Sequence, residues 1–321
     1  MFRAVLRELE TAGCRAAIVP YSCRAEARQG IASRHERGEF DEGFYKERLA
    51  EVVAESDPEV PNPRSVFCVT FPDPLVRFLF TWKGRAREVI VPPTYMHSAR
   101  KHRAVEARIR EVLAPAGFSV ARARGPTKAI STLSELACYG RNNLTYVQGL
   151  GSFHDPLVLV SDLPCDETPR REPELLPRCR TCRACLTACP TGAIAEDRFL
   201  LHAERCLTFW NEKPPHVPFP AWIRPEWHNA LIGCLLCQKA CPENRPFLDS
   251  IVEGPSFDEK TTEAFLAGAV KEDLPPEVQR TLEDWDLADA LEILPRNLGA
   301  LLARPAGKGE KGVNEKKERG V

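Results

Sequence analysis

Eight cysteines fall between Cys179 and Cys241, most of them in two tight runs. The first run is Cys179-x-x-Cys182-x-x-Cys185-x-x-x-Cys189-Pro190 and the second is Cys234-x-x-Cys237-x-x-x-Cys241-Pro242, with Cys206 between them. Three thiolates at two-residue intervals can wrap one face of a four-iron cube, each sulfur meeting one iron. Pro190 fixes its own φ and removes a backbone donor, which helps turn the chain. Zinc also uses Cys-x-x-Cys pairs. It explains neither a third cysteine at the next interval nor a proline closing both runs. The spacing therefore predicts two [4Fe–4S] clusters and redox chemistry.

The runs resemble those of bacterial ferredoxins. By that resemblance the last cysteine of each run serves the other cluster. One cluster would take Cys179, Cys182, Cys185 and Cys241, the other Cys189, Cys206, Cys234 and Cys237. The second run lacks its first cysteine, since Leu231 stands in that place, and Cys206 makes up the deficit.

Around these runs the chain reads as α+β. Phe2, Val5, Leu6 and Leu9 make an amphipathic first helix. Ala16–Val19 and Ser65–Phe71 are apolar, β-rich strands, and the polar stretch Glu26–Ala54 between them is helix-prone. Val76–Trp82 and Arg87–Val91 flank Lys83-Gly84-Arg85 as a hairpin. Ser98–Leu113 is a helix ended by Pro115 and Gly117, Phe118–Ala121 and Pro156–Ser161 are strands, and Thr132–Tyr139 is helix-like. Helical segments Thr261–Val270, Pro276–Glu283 and Leu287–Leu294 follow the second run. These signals divide the chain into an α+β domain at 1–165, a double-cluster domain at 166–255, a helical segment at 256–304 and a charged, disordered tail at 305–321. Asp166–Pro177, dense in charge and proline, is the linker.

The remaining composition narrows the function. Of thirteen cysteines, five (Cys14, Cys23, Cys68, Cys138 and Cys165) lie outside the cluster segment. Cys14 and Cys68 sit beside or within apolar stretches and read as small buried hydrophobes. Lys and Arg number 44 against 45 Asp and Glu, so no global field draws the chain to nucleic acid. The arginines of Arg100–Arg124 are diluted by Glu106 and Glu111 and read as a solvated helix face. The N-terminus lacks the apolar core of a signal peptide and no apolar run is long enough for a bilayer. A soluble, cytoplasmic protein with no membrane partner is expected.

Residues 90–245 resemble the epoxyqueuosine reductase family. The resemblance is carried by Tyr139-Gly140-Arg141-Asn142-Asn143, Gly151-Ser152, Ser161-Asp162-Leu163, Thr191-Gly192-Ala193 after the first run, Arg205-Cys206, and Gly233–Pro242. Arg141 stands where that family has Lys. The resemblance implies a nitroreductase-related, corrinoid-binding type of N-terminal domain before the ferredoxin-like one. It implies cobalamin as a further cofactor, reduced through the clusters and in turn reducing an organic substrate, a small molecule or a modified nucleoside. Gly140, Arg141, Asn142, Gly151 and Ser152 would line the cofactor or substrate, glycine permitting close approach. Reduced ferredoxin or flavodoxin would be the electron donor.

One departure bears on the substrate. The family carries an acid upstream of the Gly-Lys-Asn loop, before Thr/Ser-Gly-Pro. Here the run is Ala123-Arg124-Gly125-Pro126, and a gapless count from Asn142 reaches Ala121 instead. No carboxylate lies between Glu111 and Glu135, which leaves Tyr139 and His154 as candidate proton donors. The chain is also short after the clusters for a tRNA-gripping extension. Two readings follow: a corrinoid-dependent reductase whose substrate need not be tRNA, and an electron-transfer protein whose N-terminal domain binds a redox partner or a flavin.

Overall fold

The computed structural model describes residues 1–54, 60–166 and 173–304. The expected tail and six residues of the expected linker, 167–172, lie outside the described residues. In chain order the strands are β1 (Arg15–Pro20), β2 (Ser65–Pro72), β3 (Leu75–Trp82), β4 (Arg85–Val91), β5 (Val120–Arg122), β6 (Cys138–Tyr139), β7 (Thr145–Tyr146), β8 (His154–Ser161) and β9 (Ile251–Phe257). The fold divides into two units. Among the described residues, the first comprises Met1–Asp73, Ser98–Glu204 and Ala240–Phe247; the second comprises Pro74–His97, Arg205–Lys239 and residues 248–304.

The first unit is built on an antiparallel sheet ordered β1-β2-β8-β5. Its central strands are apolar on both faces, because each face carries helices. Phe67, Val69, Phe71, Leu157 and Leu159 pack on one side with Val5 and Leu9 of the helix Phe2–Thr11 and with Val105, Ile109 and Leu113 of the helix Ser98–Leu113. Val66, Cys68, Val158 and Val160 face the other way, against Cys23 and Ala27 of the helix Ser22–Glu36 and Ile130 of the helix Thr127–Leu133. Alternate residues thus feed alternate cores, as the strand's two-residue period requires. Cys14 and Cys68 are core residues here, and burial pushes the Cys68 thiol up to about 12.

Two elements of this unit differ from the sequence reading. The helix near Thr132 begins at Thr127 and stops at Leu133, because Glu135 takes a left-handed φ of 59° and the chain re-extends into β6. The Glu26–Ala54 stretch is interrupted after Glu36, where Gly38 turns with φ 69°.

The second unit centres on the sheet β4-β3-β9, in which β3 and β4 form the expected hairpin and β9 runs parallel to β3. The sequence hid β9, since Gly254 and Pro255 inside it are turn residues. The glycine is required: a Cβ there would overlap the Phe78 ring. Phe80, Phe257 and Phe265 stack beneath this sheet with Leu282, Leu294 and Leu298. Leu231 is fully buried in the same core. The segment expected as a helix at Leu287–Leu294 is a tight 3-10 stretch, Ala288–Ile293, continued by a helix at Leu294–Leu302.

Candidate iron–sulfur centres

Four of the eight cluster cysteines lie together in the first unit. Cys179 ends up buried on a 3-10 turn, Pro177–Arg180, and Cys185 is buried on the short helix Ala184–Ala188. Burial pushes the Cys185 thiol up to about 11, and Cys179, Cys241 and Cys182 push it in the same direction. Cys179 is raised first by burial, then lowered by Arg141 and raised again by Cys241 and Cys182. These mutual influences gather Cys179, Cys182, Cys185 and Cys241 into one region, although Cys241 is remote in sequence. An ion pair ties the flanks of the two segments, Arg178 Nε to Glu243 at 2.6 Å. Ligation by a metal requires the thiolate, so binding at the raised thiols of Cys179 and Cys185 would release protons.

Among the described residues no three His, Cys, Asp or Glu side chains gather around one point closely enough for a single ion.

The other four cysteines expected as ligands divide between the units. Cys206, Cys234 and Cys237 belong to the second. Cys206 precedes the helix Leu207–Asn211, and Cys234 Sγ lies 3.2 Å from Asn229 Nδ2. Leu231, in the place of the missing cysteine, is committed to the hydrophobic core, and its N–H donates to Ile90 O at 2.9 Å. Cys189 belongs to the first unit, with Thr191 Oγ1 3.4 Å from its sulfur.

The Tyr139–Asn143 loop grips the segments around the first run. Tyr139 N donates to Glu174 O and Leu176 N to Tyr139 O. Arg141 Nη2 donates to Cys179 O at 2.7 Å. Asn143, at a left-handed φ of 56° that Asn tolerates, donates to Phe199 O at 3.0 Å and accepts from Leu201 N at 2.7 Å. Asn142 is buried and spends its amide inside the loop, on Tyr146 Oη and Leu144 N. A Cβ on Gly140 would overlap the Tyr146 ring and meet Asn142 Oδ1 at 2.6 Å.

Gly151 and Ser152 meet the segment that follows Cys241. Asn244, fully buried, accepts from Ser152 N at 2.8 Å and donates to Ser152 Oγ at 2.8 Å. Its own N–H returns to Cys241 O at 3.1 Å. Gly151 has φ 59°, and a Cβ there would stand 2.5 Å from Asn244 Oδ1. Asn244 escaped the sequence reading because nothing marks it out beyond its place after Cys-Pro.

The two candidate proton donors are both held by protein. His154 is buried between Thr70 Oγ1, 2.6 Å from Nδ1, and Thr145, whose carbonyl is 3.0 Å from Nε2. Burial lowers its basicity, so a neutral ring donating from Nε2 satisfies the site. Tyr139 packs edge-on to Phe199, and burial raises its phenol. Ala121 and Ala123 pack against the core beneath the helix Thr127–Leu133. Beside the loop lies an open cleft of about 280 Å³ lined by Arg141, Leu175, Glu196, Asp197, Arg198 and Phe199. Its two carboxylates follow the first run and were not singled out in the sequence; Glu196 is ion-paired with Arg183.

Known proteins resemble the chain in both sequence and fold. Residues 178–244 match the 4Fe-4S double cluster binding domain family. The epoxyqueuosine reductase of Pseudomonas aeruginosa is 32% identical over 140 residues, which are 43% of this chain and 37% of that protein. The matched stretch thus spans well under two thirds of that relative's length. The structure of epoxyqueuosine reductase from Bacillus subtilis with its catalytic Asp loop swung out of the active site superposes with a TM-score of 0.65 at 16% identity, covering 94% of this chain and 80% of that one. An epoxyqueuosine reductase holding a modified tRNA stem loop superposes with a TM-score of 0.55 at 17% identity, covering 77% of this chain and 66% of that one. At such identities the structural likeness speaks for the fold alone.

Proposed function

We propose that this chain, a relative of the epoxyqueuosine reductases, is an iron–sulfur oxidoreductase that passes electrons singly through two [4Fe–4S] clusters to an organic substrate. The observation that carries the reading is the match of residues 178–244 to the 4Fe-4S double cluster binding domain family, a span that holds all eight cysteines. The second ligand set, Cys189, Cys206, Cys234 and Cys237, rests on the ferredoxin resemblance. When bound, the clusters would supply one-electron carriage. The chain's own part is to hold the thiolates: Arg141 fixes the Cys179 turn, and Asn244 fixes the turn after Cys241. Reduced ferredoxin or flavodoxin is the proposed donor. No helix among the described residues is long and apolar enough to cross a membrane.

Cobalamin is proposed on the family resemblance alone. The residues expected to line it do not form a vacant cradle. The space beside Gly140 is taken by Tyr146 and that beside Gly151 by Asn244, while Arg141, Asn142 and Ser152 are bonded to protein atoms. No step is therefore assigned to a corrinoid. The same observation favours the second reading, in which the clusters relay charge to a redox partner or a flavin. Spectral titration of the iron-loaded chain with cobalamin under reducing conditions separates the two. A saturable change in the corrinoid bands supports the reductase, and its absence supports the relay. The substrate is proposed as a small molecule or a modified nucleoside, the latter carried on a tRNA stem loop in one structural neighbour.

A further inference from the structure

Asn229 places an N–H on one of the cluster sulfurs. Its Nδ2 lies 3.2 Å from Cys234 Sγ and 2.9 Å from Trp227 O, and its Oδ1 accepts from Leu235 N at 2.8 Å. The backbone donor at Leu235 fixes which end of the amide is oxygen, so both amide hydrogens are left for the sulfur and the carbonyl. The loop carrying the sulfur is held as well. Asn211 Nδ2 donates to Gly233 O at 2.6 Å, and Gly233 turns with φ 72°, where a Cβ would stand 2.8 Å from Tyr95 Oη. Donor and sulfur therefore keep their separation.

This inference rests on the reading of Cys234 as a cluster ligand. A ligating cysteine is a thiolate, a better acceptor than a thiol. Reduction adds one electron from a mediator to the cube, with no bond made or broken. The added negative charge spreads in part onto the ligating sulfurs, so an N–H donor stabilises the reduced form more than the oxidised one. Hydrogen bonds to sulfur are among the determinants of cluster potential. We propose that Asn229 is a positioning residue that raises the reduction potential of the cluster ligated by Cys234, setting it apart from the cluster held by Cys179, Cys182, Cys185 and Cys241.

The test is potentiometric titration of the reconstituted full chain, followed by low-temperature EPR, beside iron and sulfide analysis. Asn229→Asp keeps the oxygen that accepts from Leu235 and replaces the N–H with an anionic oxygen. Asn229→Leu keeps the volume and removes both polar ends. Both variants are expected to retain eight irons and to shift one of two reduction waves to more negative potential, Asn229→Asp further than Asn229→Leu. Unmoved waves with full iron content would overturn the proposal. So would loss of half the iron from both variants, which would make Asn229 a fold element of the loop. Wild-type chain without eight irons would instead overturn the two-cluster reading on which this rests.

Discussion

Arg141 reaches across 38 residues of sequence to set its guanidinium Nη2 2.7 Å from the carbonyl oxygen of Cys179. A fixed cation thereby braces the backbone of Cys179, from a loop that the family resemblance assigned to a cofactor or substrate. A hydrogen bond with a charged partner contributes about 1.5–3 kcal/mol. Arg141→Gln is expected to lower stability by that order in urea unfolding, and to speed iron loss to a chelator. Arg141→Lys, which keeps the charge without the planar fork, should fall between. Equal chelation rates in all three proteins would show that the contact does not brace the cluster.

The glycine at 151 gives a sharper test of the same buttress. Gly151→Ala must fit a Cβ 2.5 Å from Asn244 Oδ1 at a φ of 59°. Strain of this kind costs about 1–3 kcal/mol, and the loss should appear as a lower unfolding midpoint with partial loss of iron. Gly30→Ala is the control. It lies within the helix Ser22–Glu36, where a Cβ would meet nothing within 4 Å, and should gain roughly 0.5–1 kcal/mol. Similar effects at the two sites would remove Asn244 from the account.

These residues mark where sequence reading succeeds and where it stops. The double-cluster segment was legible because iron ligation places one residue type at short intervals, as in the two cysteine runs, and residues 178–244 match that domain family. β2 and β8 were legible because burial on both faces leaves nearly unbroken apolar runs. The role of Gly140–Asn143 was not legible, since its partners Cys179, Phe199 and Leu201 lie at no fixed spacing from it. β9 was hidden for a different reason. Its pairing with β3 is secured by Phe78 beneath Gly254, a tertiary fit that overrides the local turn propensity of Gly-Pro.

Cys206→Ser is expected to cut bound iron to about half, four irons remaining as one cluster. Cys14→Ser and Cys68→Ser change core residues of the first unit and should leave iron content unchanged. Adding Leu231→Cys to Cys206→Ser should not restore the iron, because position 231 is fully buried in the hydrophobic core of the second unit. Restoration would place the second ligand set differently.

On the resemblance, reduction of epoxyqueuosine in tRNA by this chain should be poor. Ala123, in the place of the family's acid, donates its N–H to Val158 O at 3.0 Å and packs its methyl against the core. A positioned general acid contributes about 10²–10⁴-fold to rate. A deficit of that size is expected in a tRNA reduction assay, with part of it recovered in Ala123→Asp. Efficient turnover by the unmodified chain would mean that another group supplies the proton.

Iron and acid-labile sulfide analysis of anaerobically prepared chain tests the central claim most directly. Two four-iron clusters require about eight of each per chain, with broad visible absorbance that bleaches on reduction. Zinc in place of iron, with no absorbance in the visible region, would contradict the account.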